Sequence, residues 1–203
     1  GTANGVYQLE AKGTRWVPVT EGLGQTLVPS LAMTKDGTLF AGTSGKGIMR
    51  YRIKDAAWKR MERGLRDHEG LIENFVRVLA VDKEQAVYAG TFDGGVFRST
   101  DLGESWRPIS RALPNDSIRG IVPSEKALYV ATGRGVFKTA TKGKTWKWVA
   151  LNEGLTQLSV QTFIQDEAGR LYVGTTSGVF RSDDEGVNWS ETSTGLRPTP
   201  SSR

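Results

Sequence analysis

The sequence predicts an all-β protein, a β-propeller of four-stranded antiparallel blades, on three observations. First, five tryptophans, Trp16, Trp58, Trp106, Trp146 and Trp189, recur at separations of 42, 48, 40 and 43 residues. Second, each lies nine residues after an aromatic residue or a methionine: Tyr7, Met49, Phe97, Phe137 and Phe180. A constant offset inside a variable period means one repeated unit with loops of different length. Third, the intervening segments are short, rich in β-branched and aromatic residues, and bounded by Gly, Asp, Asn and Pro, which marks strands and hairpins. Four strands in a period of this size make a propeller blade, whose sheet buries its faces only by stacking on neighbours. The sixth tryptophan, Trp148, falls off the period.

The strands follow in the same order in each copy. The innermost is an apolar run at 31–33, 78–81, 120–122 and 162–164. A polar turn leads to a second strand at 39–42, 87–90, 128–131 and 171–174. A glycine-bearing turn then leads to a third at 47–50, 95–98, 135–138 and 178–181, and a hairpin brings in the tryptophan strand. That strand closes on Gly-Leu at 64–65, 154–155 and 195–196, and once on Ala112-Leu113.

Laid end to end, the copies divide the chain into a partial blade of outer strands only (1–24), four blades (25–65, 66–113, 114–155 and 156–196) and a tail (197–203). The blade at 66–113 opens with the longest loop. The first residues, Gly1-Thr2-Ala3-Asn4-Gly5-Val6-Tyr7, match Gly174-Thr175-Thr176-Ser177-Gly178-Val179-Phe180 in the middle of a later copy. The chain is therefore expected to begin part-way through a unit and to belong to a larger ring, of about six to eight blades. Sequence upstream or another chain would complete that ring, or the propeller is open.

The composition, 37% hydrophobic and 24% charged in 203 residues, is that of a soluble globular protein. No run of about 18 apolar residues is present to span a membrane. With no cysteine there is no disulfide, thiolate nucleophile or cysteine metal site. The single histidine, His68, has no metal-ligand spacing around it, so neither a metal nor a cofactor is expected. A net charge of +5 favours acidic partners.

The hairpin before each tryptophan carries a pattern. Ser99-Thr100-Asp101-Leu102-Gly103-Glu104-Ser105-Trp106 reads Ser-x-Asp-x-Gly-x-Ser-Trp. Ser182, Asp184, Gly186 and Trp189 repeat it, with Asn188 in the second Ser place. A third copy keeps Thr139, Gly143 and Trp146 but has Thr141 in place of the aspartate. In such a turn Asp101 and Asp184 accept hydrogen bonds from N–H groups, and Gly103 and Gly186 take positive φ. These are structural roles; none of the residues is expected to bind metal or catalyse.

The pattern resembles the Asp-box, or bacterial neuraminidase, repeat. Over almost its whole length the chain resembles the propellers that carry it: sialidases, sortilin-type receptors, some xyloglucan-cleaving hydrolases, and the photosystem II stability and assembly factors. The resemblance implies the propeller fold, with the Asp-boxes at the periphery away from ligand sites. Function stays open, because unrelated activities share the scaffold.

Resemblance to a sialidase would imply arginines for the substrate carboxylate, the first in an Arg-Ile-Pro-type segment, with a Tyr/Glu pair and an Asp acid. No such segment occurs. Tyr88, Tyr129 and Tyr172 share one repeated strand position with Phe40 and read as core. Asp82 and Asp166 follow the inner strands and read as turn residues, not as a glycosidase acid pair. No enzyme and no catalytic residue are expected.

The surface is more informative. At the start of the inner strand one repeat column reads Pro29, Arg77, Arg119 and Gln161. Propeller connectivity puts this column at the channel mouth, on the face opposite the Asp-box hairpins. Turns of the same face add Lys46 and Arg134, and the longest loop adds Arg66 and His68. Arg77, Arg119, Gln161, Lys46, Arg134, Arg66 and His68 are therefore the expected partner-binding residues, since clustered guanidiniums pair with carboxylate or phosphate. A second column, Arg50, Arg98, Lys138 and Arg181, reads as bracing between blades. The aromatics read as core, so nucleic acid is not expected.

The expectation is a non-enzymatic binding propeller: an accessory subunit, scaffold or assembly factor that engages an acidic protein partner. It would belong to a larger complex, with possible association with a membrane complex, outside the cytoplasm (periplasmic, lumenal or secreted). The alternative is a carbohydrate-binding or glycoside hydrolase propeller fragment.

Overall fold

Short strands separated by glycine turns leave each sheet with two apolar faces to bury, and the chain does this by stacking sheets. A computed structural model describes residues 1–11, 13–66, 73–140 and 145–195; His68, Gly143 and the tail 197–203 lie outside the described residues. Strands β1 (Tyr7–Leu9) and β2 (Trp16–Pro18) form a hairpin. Four four-stranded antiparallel sheets follow. They are β3 (Ser30–Met33), β4 (Leu39–Gly42), β5 (Ile48–Tyr51), β6 (Trp58–Arg60); β7 (Val76–Val81), β8 (Val87–Thr91), β9 (Val96–Ser99), β10 (Arg107–Pro108); β11 (Ile118–Pro123), β12 (Ala127–Thr132), β13 (Gly135–Ala140), β14 (Val149–Ala150); and β15 (Val160–Gln165), β16 (Leu171–Thr175), β17 (Val179–Ser182), β18 (Ser190–Glu191). Within each sheet the strands pair in chain order. The inner strands β3, β7, β11 and β15 contact one another in succession, so the sheets stack as the blades of a β-propeller. Among the described residues there is no helix, and none long and apolar enough to cross a membrane.

The core lies between blades. Phe40, Ile48, Met61 and Leu65 of one blade pack on Leu79, Val87, Phe97 and Trp106 of the next. Burying one such side chain contributes about 1.5–3 kcal/mol. Tyr88 and Tyr129 are buried core residues, as their repeated position predicts. The Tyr88 hydroxyl donates to Asp82 Oδ2 at 2.9 Å, and burial pushes its pKa up to about 12. Such a phenol stays protonated at neutral pH and is a poor nucleophile.

One joint repeats along the molecule. The indole Nε1 of Trp58 donates to the Val19 carbonyl (2.8 Å), that of Trp148 to Ile109 (3.0 Å) and that of Trp189 to Leu151 (2.9 Å), each acceptor lying in the preceding blade. Trp106 occupies the same position, but its buried Nε1 has no partner. Backbone bonds from Trp58, Trp106 and Trp189 N–H to Glu21, Arg63 and Glu153 O complete three of these joints. There the preceding blade presents a glycine with positive φ, Gly22, Gly64 or Gly154; an added Cβ would fall 2.1–2.3 Å from the tryptophan carbonyl oxygen. No larger residue fits between the two backbones.

The fourth joint corrects the sequence reading. Trp148, not Trp146, is the repeat tryptophan, since β14 begins just after it and Val149 pairs with Lys138 as Arg107 pairs with Arg98. The hairpin is two residues longer here, so the offset of nine from Phe137 fell on the wrong residue. Ala112, at φ 84°, stands where the other joints have glycine. Its methyl sits where the tryptophan backbone would approach, and among the described residues this joint makes no corresponding backbone bond. Trp146 is displaced to a half-buried place 6.0 Å from the Arg98 guanidinium.

Two of the third-strand cations brace the same seams, while Arg98 Nε donates to the Tyr88 hydroxyl of its own blade (3.2 Å). Arg50 Nη1 donates to Leu102 O (2.6 Å) and Glu104 (2.8 Å), and Lys138 donates to Glu185 (2.7 Å), in each case in the next blade. Arg181, in the last blade, instead holds Asp183 of its own hairpin at 2.9 Å.

Candidate binding face

Strand pairing explains why the inner-strand column has room for large polar side chains. In three blades the register shifts by one residue at the start of the inner strand: between Val76 and Val78, Ile118 and Gly120, and Val160 and Thr162. The extra residues are Arg77, Arg119 and Gln161. A bulge residue has no partner opposite it, and its side chain is released from the in-out alternation. The apolar residue just before it stays buried each time (Val76, Ile118 and Val160), so the bulge turns one polar side chain out at the mouth while the core stays closed.

Arg77 is half-buried, and its guanidinium carbon lies 4.9 Å from the centroid of the Phe92 ring. Burial, and then the positive charge of Arg119, both lower its hold on its proton. An arginine stays charged through such a shift, so the finding is one of adjacency: two guanidiniums on consecutive blades repel each other. Arg119 Nη1 donates to Val160 O (3.1 Å) and approaches Ser159 Oγ (3.4 Å), while its Nε is buried without a partner. Among the described residues neither arginine is in a salt bridge. Gln161 is exposed and bonds Ser159 Oγ at 3.2 Å.

The remaining candidates divide. Lys46 Nζ donates to the Leu23 carbonyl at 2.5 Å, so its ammonium braces the first hairpin unit. Arg134 is exposed on the turn between β12 and β13. Arg66 is exposed and lines a separate pocket with Arg111 and Asp116. His68 lies outside the described residues.

Sequence reasoning missed an apolar shelf beside Arg77. Phe75 and Phe92 are 55% and 54% exposed, and Leu27 is 47% exposed. With Pro29, Ser44 and Arg77 they line a shallow hollow of about 210 Å³. The signal was present in the repeat: Phe92 stands where other copies have Ser44, Gly133 and Thr176, and Phe75 where two have Ser117 and Ser159. An aromatic in a small-residue column of a turn belongs to the surface, not the core. Glu73, beside Phe75, is buried and accepts the Phe75 N–H at 2.9 Å.

The opposite end of the sheets carries the motif hairpins. Ser99 Oγ donates to Asp101 Oδ1 (2.7 Å) and accepts from Gly103 N–H (2.9 Å), and Asp101 accepts from the Ser105 N–H (2.9 Å) and hydroxyl. Ser182, Asp184, Gly186 and Asn188 repeat the arrangement at 2.7–2.9 Å. Gly103 and Gly186 take φ +83° and +89°. The Asn188 N–H and amide, then the Ser182 hydroxyl, hold the Asp184 carboxyl down at about 2. For Asp101 burial opposes the shift, but bonds from Ser105 and Ser99 win and its pKa is also lowered. Among the described residues no three His, Cys, Asp or Glu side chains cluster to hold a metal.

No family model matches the sequence, and no curated protein matches it. Solved structures do. PorZ, a surface component of the type-IX secretion system of Porphyromonas gingivalis, superposes with a TM-score of 0.68 at 12% identity, over 94% of this chain and 31% of PorZ. The GH74 enzyme of Niastella koreensis gives 0.69 at 17% identity, over 94% of this chain and 34% of the enzyme. YCF48 bound to D1 peptide gives 0.66 at 14% identity, over 95% and 62%. The chain thus spans about a third of the first two and less than two thirds of the third. At these identities the likeness shows the propeller fold alone.

Proposed function

We propose that this chain is a non-enzymatic protein-binding propeller, an accessory subunit, scaffold or assembly factor of the Asp-box group. It engages an acidic partner through Arg77, Arg119 and Gln161, with Arg134 at the rim. One observation carries this reading: two neighbouring half-buried guanidiniums sit on bulges, repel each other, and have no carboxylate partner among the described residues. An incoming carboxylate would relieve the repulsion and accept their donors, and charge-assisted bonds of this kind contribute about 1.5–3 kcal/mol each. The Phe75 and Phe92 shelf then takes an apolar side chain of the partner. That a secretion-system surface component and a peptide-bound propeller share the fold supports a protein partner, and supports a place outside the cytoplasm.

The glycan alternative has one observation in its favour, the exposed rings of Phe75 and Phe92, because sugars stack on aromatic faces. Here Arg77 already covers the Phe92 ring.

The test is affinity capture from the native source with the wild-type chain and with Arg77→Glu/Arg119→Glu, read by mass spectrometry. A partner lost on charge reversal, with the variant still folded, is the expected result. Retention on polysaccharide, or capture indifferent to the reversal, would move the weight to the glycan reading.

A further inference from the structure

The irregular seam, between the sheets β7–β10 and β11–β14, holds positive charge that nothing beside it neutralises. At the neighbouring seams the third-strand cation crosses to the next hairpin: Arg50 reaches Glu104, and Lys138 reaches Glu185. The equivalent Arg98 stays on its own blade. Its Nε donates to the Tyr88 hydroxyl (3.2 Å), and it meets the Asp82 carboxylate only through that hydroxyl. Sequence supplies the reason. The hairpins at 99–106 and 182–189 carry Glu104 and Glu185, whereas the hairpin at 139–146 carries Lys142 and Lys144. From Thr139 to Trp148 there is no acid to offer Arg98.

A second guanidinium lies against the first. Arg107 pairs with Arg98 across β10 and β9, so both side chains leave the sheet on one face. Like charges directly opposite each other destabilise a sheet. At the matching place in the first blade Lys59 opposes Arg50, but each has an acid, Asp55 for Lys59 (3.7 Å) and Glu104 for Arg50 (2.8 Å). The last two blades put Val149 and Ser190 opposite the cation. In the second blade, among the described residues, neither Arg98 nor Arg107 is in a salt bridge. Beside them stands an indole that the joint does not use. Trp148 fills the slot and bonds Ile109, which leaves Trp146 half-buried with its ring centre 6.0 Å from the Arg98 guanidinium. Arg98, Arg107 and Trp146, with Thr100, Asp101 and Ser105, line a hollow of about 610 Å³. Asp101 is the acid of this hollow, and its oxygens are already held by Ser99 and Ser105.

We propose that this hollow is a binding site for a nucleoside phosphate. A phosphate monoester carries close to two negative charges at neutral pH, which suits two guanidiniums that repel each other; a single carboxylate would neutralise only one. Guanidinium forks also bond phosphate oxygens bidentately. The base lies against the Trp146 indole, because stacking on an aromatic ring accepts any base. The Thr100 and Ser105 hydroxyls are left for the ribose. A volume of this size is that of a small-molecule pocket. The site stands at the motif-hairpin end of the sheets, away from Arg77 and Arg119, and does not depend on the reading of that face.

Isothermal titration calorimetry with adenosine monophosphate tests this, with adenosine and inorganic phosphate as its separate halves. The wild-type chain is expected to bind the nucleotide about tenfold or more tightly than either half, since each half keeps only part of the contact. Arg107→Gln changes an exposed side chain and is expected to weaken nucleotide binding about tenfold, the loss of one charge-assisted bond. Trp146→Leu should weaken the nucleotide and leave inorganic phosphate as it was. Arg77→Glu/Arg119→Glu should bind the nucleotide as the wild type does. No heat at millimolar nucleotide, equal binding of nucleotide and inorganic phosphate, or binding indifferent to Arg107→Gln or to Trp146→Leu would each overturn the proposal. So would loss of binding on reversal of Arg77 and Arg119, since the phosphate would then sit on the opposite face.

Discussion

An ideal Cβ on Gly154 would lie 2.1 Å from the Trp189 carbonyl oxygen of the next blade. The blades therefore meet backbone to backbone, and a glycine with φ +85° is required at the seam both by its dihedral and by the approach. Where Ala112 replaces it, the following hairpin is longer and a different tryptophan takes the slot.

Gly154→Ala is accordingly expected to destabilise the chain by about 2 kcal/mol or more, from left-handed strain together with overpacking. Gly195→Ala has the same kind of dihedral but, among the described residues, nothing within 4 Å of the added Cβ, and should cost about 1 kcal/mol, the conformational part alone. Urea denaturation of the two variants measures the difference. Equal losses would mean that the backbone approach carries no energy.

Trp148→Ala should cost about 3 kcal/mol, because it empties an interblade site and leaves the Ile109 carbonyl unbonded. Trp146→Ala should cost less, since Trp146 lies beside the joint. The order of the two denaturation midpoints decides the assignment.

Those two tryptophans show what was legible in the sequence. The blades, their strand order and the turn glycines could be read because apolar runs recur in one order at one spacing. The identity of the repeat tryptophan could not be read from a constant offset, since a hairpin can lengthen by two residues without disturbing the sheet. Loss of aspartate at Thr141 and of glycine at Ala112, on the two sides of one joint, marked that joint as the irregular one. The basic column was legible as a column, but its bulges were not: an extra residue in a strand leaves no composition signal. Phe75 and Phe92 were hidden by the rule that aromatics in a β-rich chain belong to the core. Lys46 was read as a rim charge because its bond to Leu23 joins residues that only the fold brings together.

The Asp184 hairpin should titrate. Its folded carboxyl sits at about 2, below the ordinary 3.8, so its contribution to stability is fully present above that ordinary value, and is lost as pH falls through the folded one. Asp184→Asn is expected to lower the thermal midpoint at neutral pH and to make little difference below pH 2, where the wild-type carboxyl is itself protonated. A penalty of equal size at both pH values would show that the charge is irrelevant to the turn.

Arg134→Ala removes an exposed rim charge, whereas Arg119→Ala removes a half-buried one. Rim charges act mainly on association rate and buried ones on dissociation. With a captured partner in hand, surface plasmon resonance should find Arg134→Ala slowing association and Arg119→Ala speeding dissociation. The reverse pattern would place the contact at the rim, away from the bulges.

Arg77 and Arg119 define the binding face only if they receive a carboxylate. Isothermal titration calorimetry with an acidic peptide bearing one phenylalanine, repeated with Arg77→Glu/Arg119→Glu, asks this directly. The prediction is salt-sensitive binding by the wild-type chain that weakens about tenfold or more on charge reversal. Equal binding by both proteins, or binding of a neutral xyloglucan oligosaccharide in place of the peptide, would contradict it.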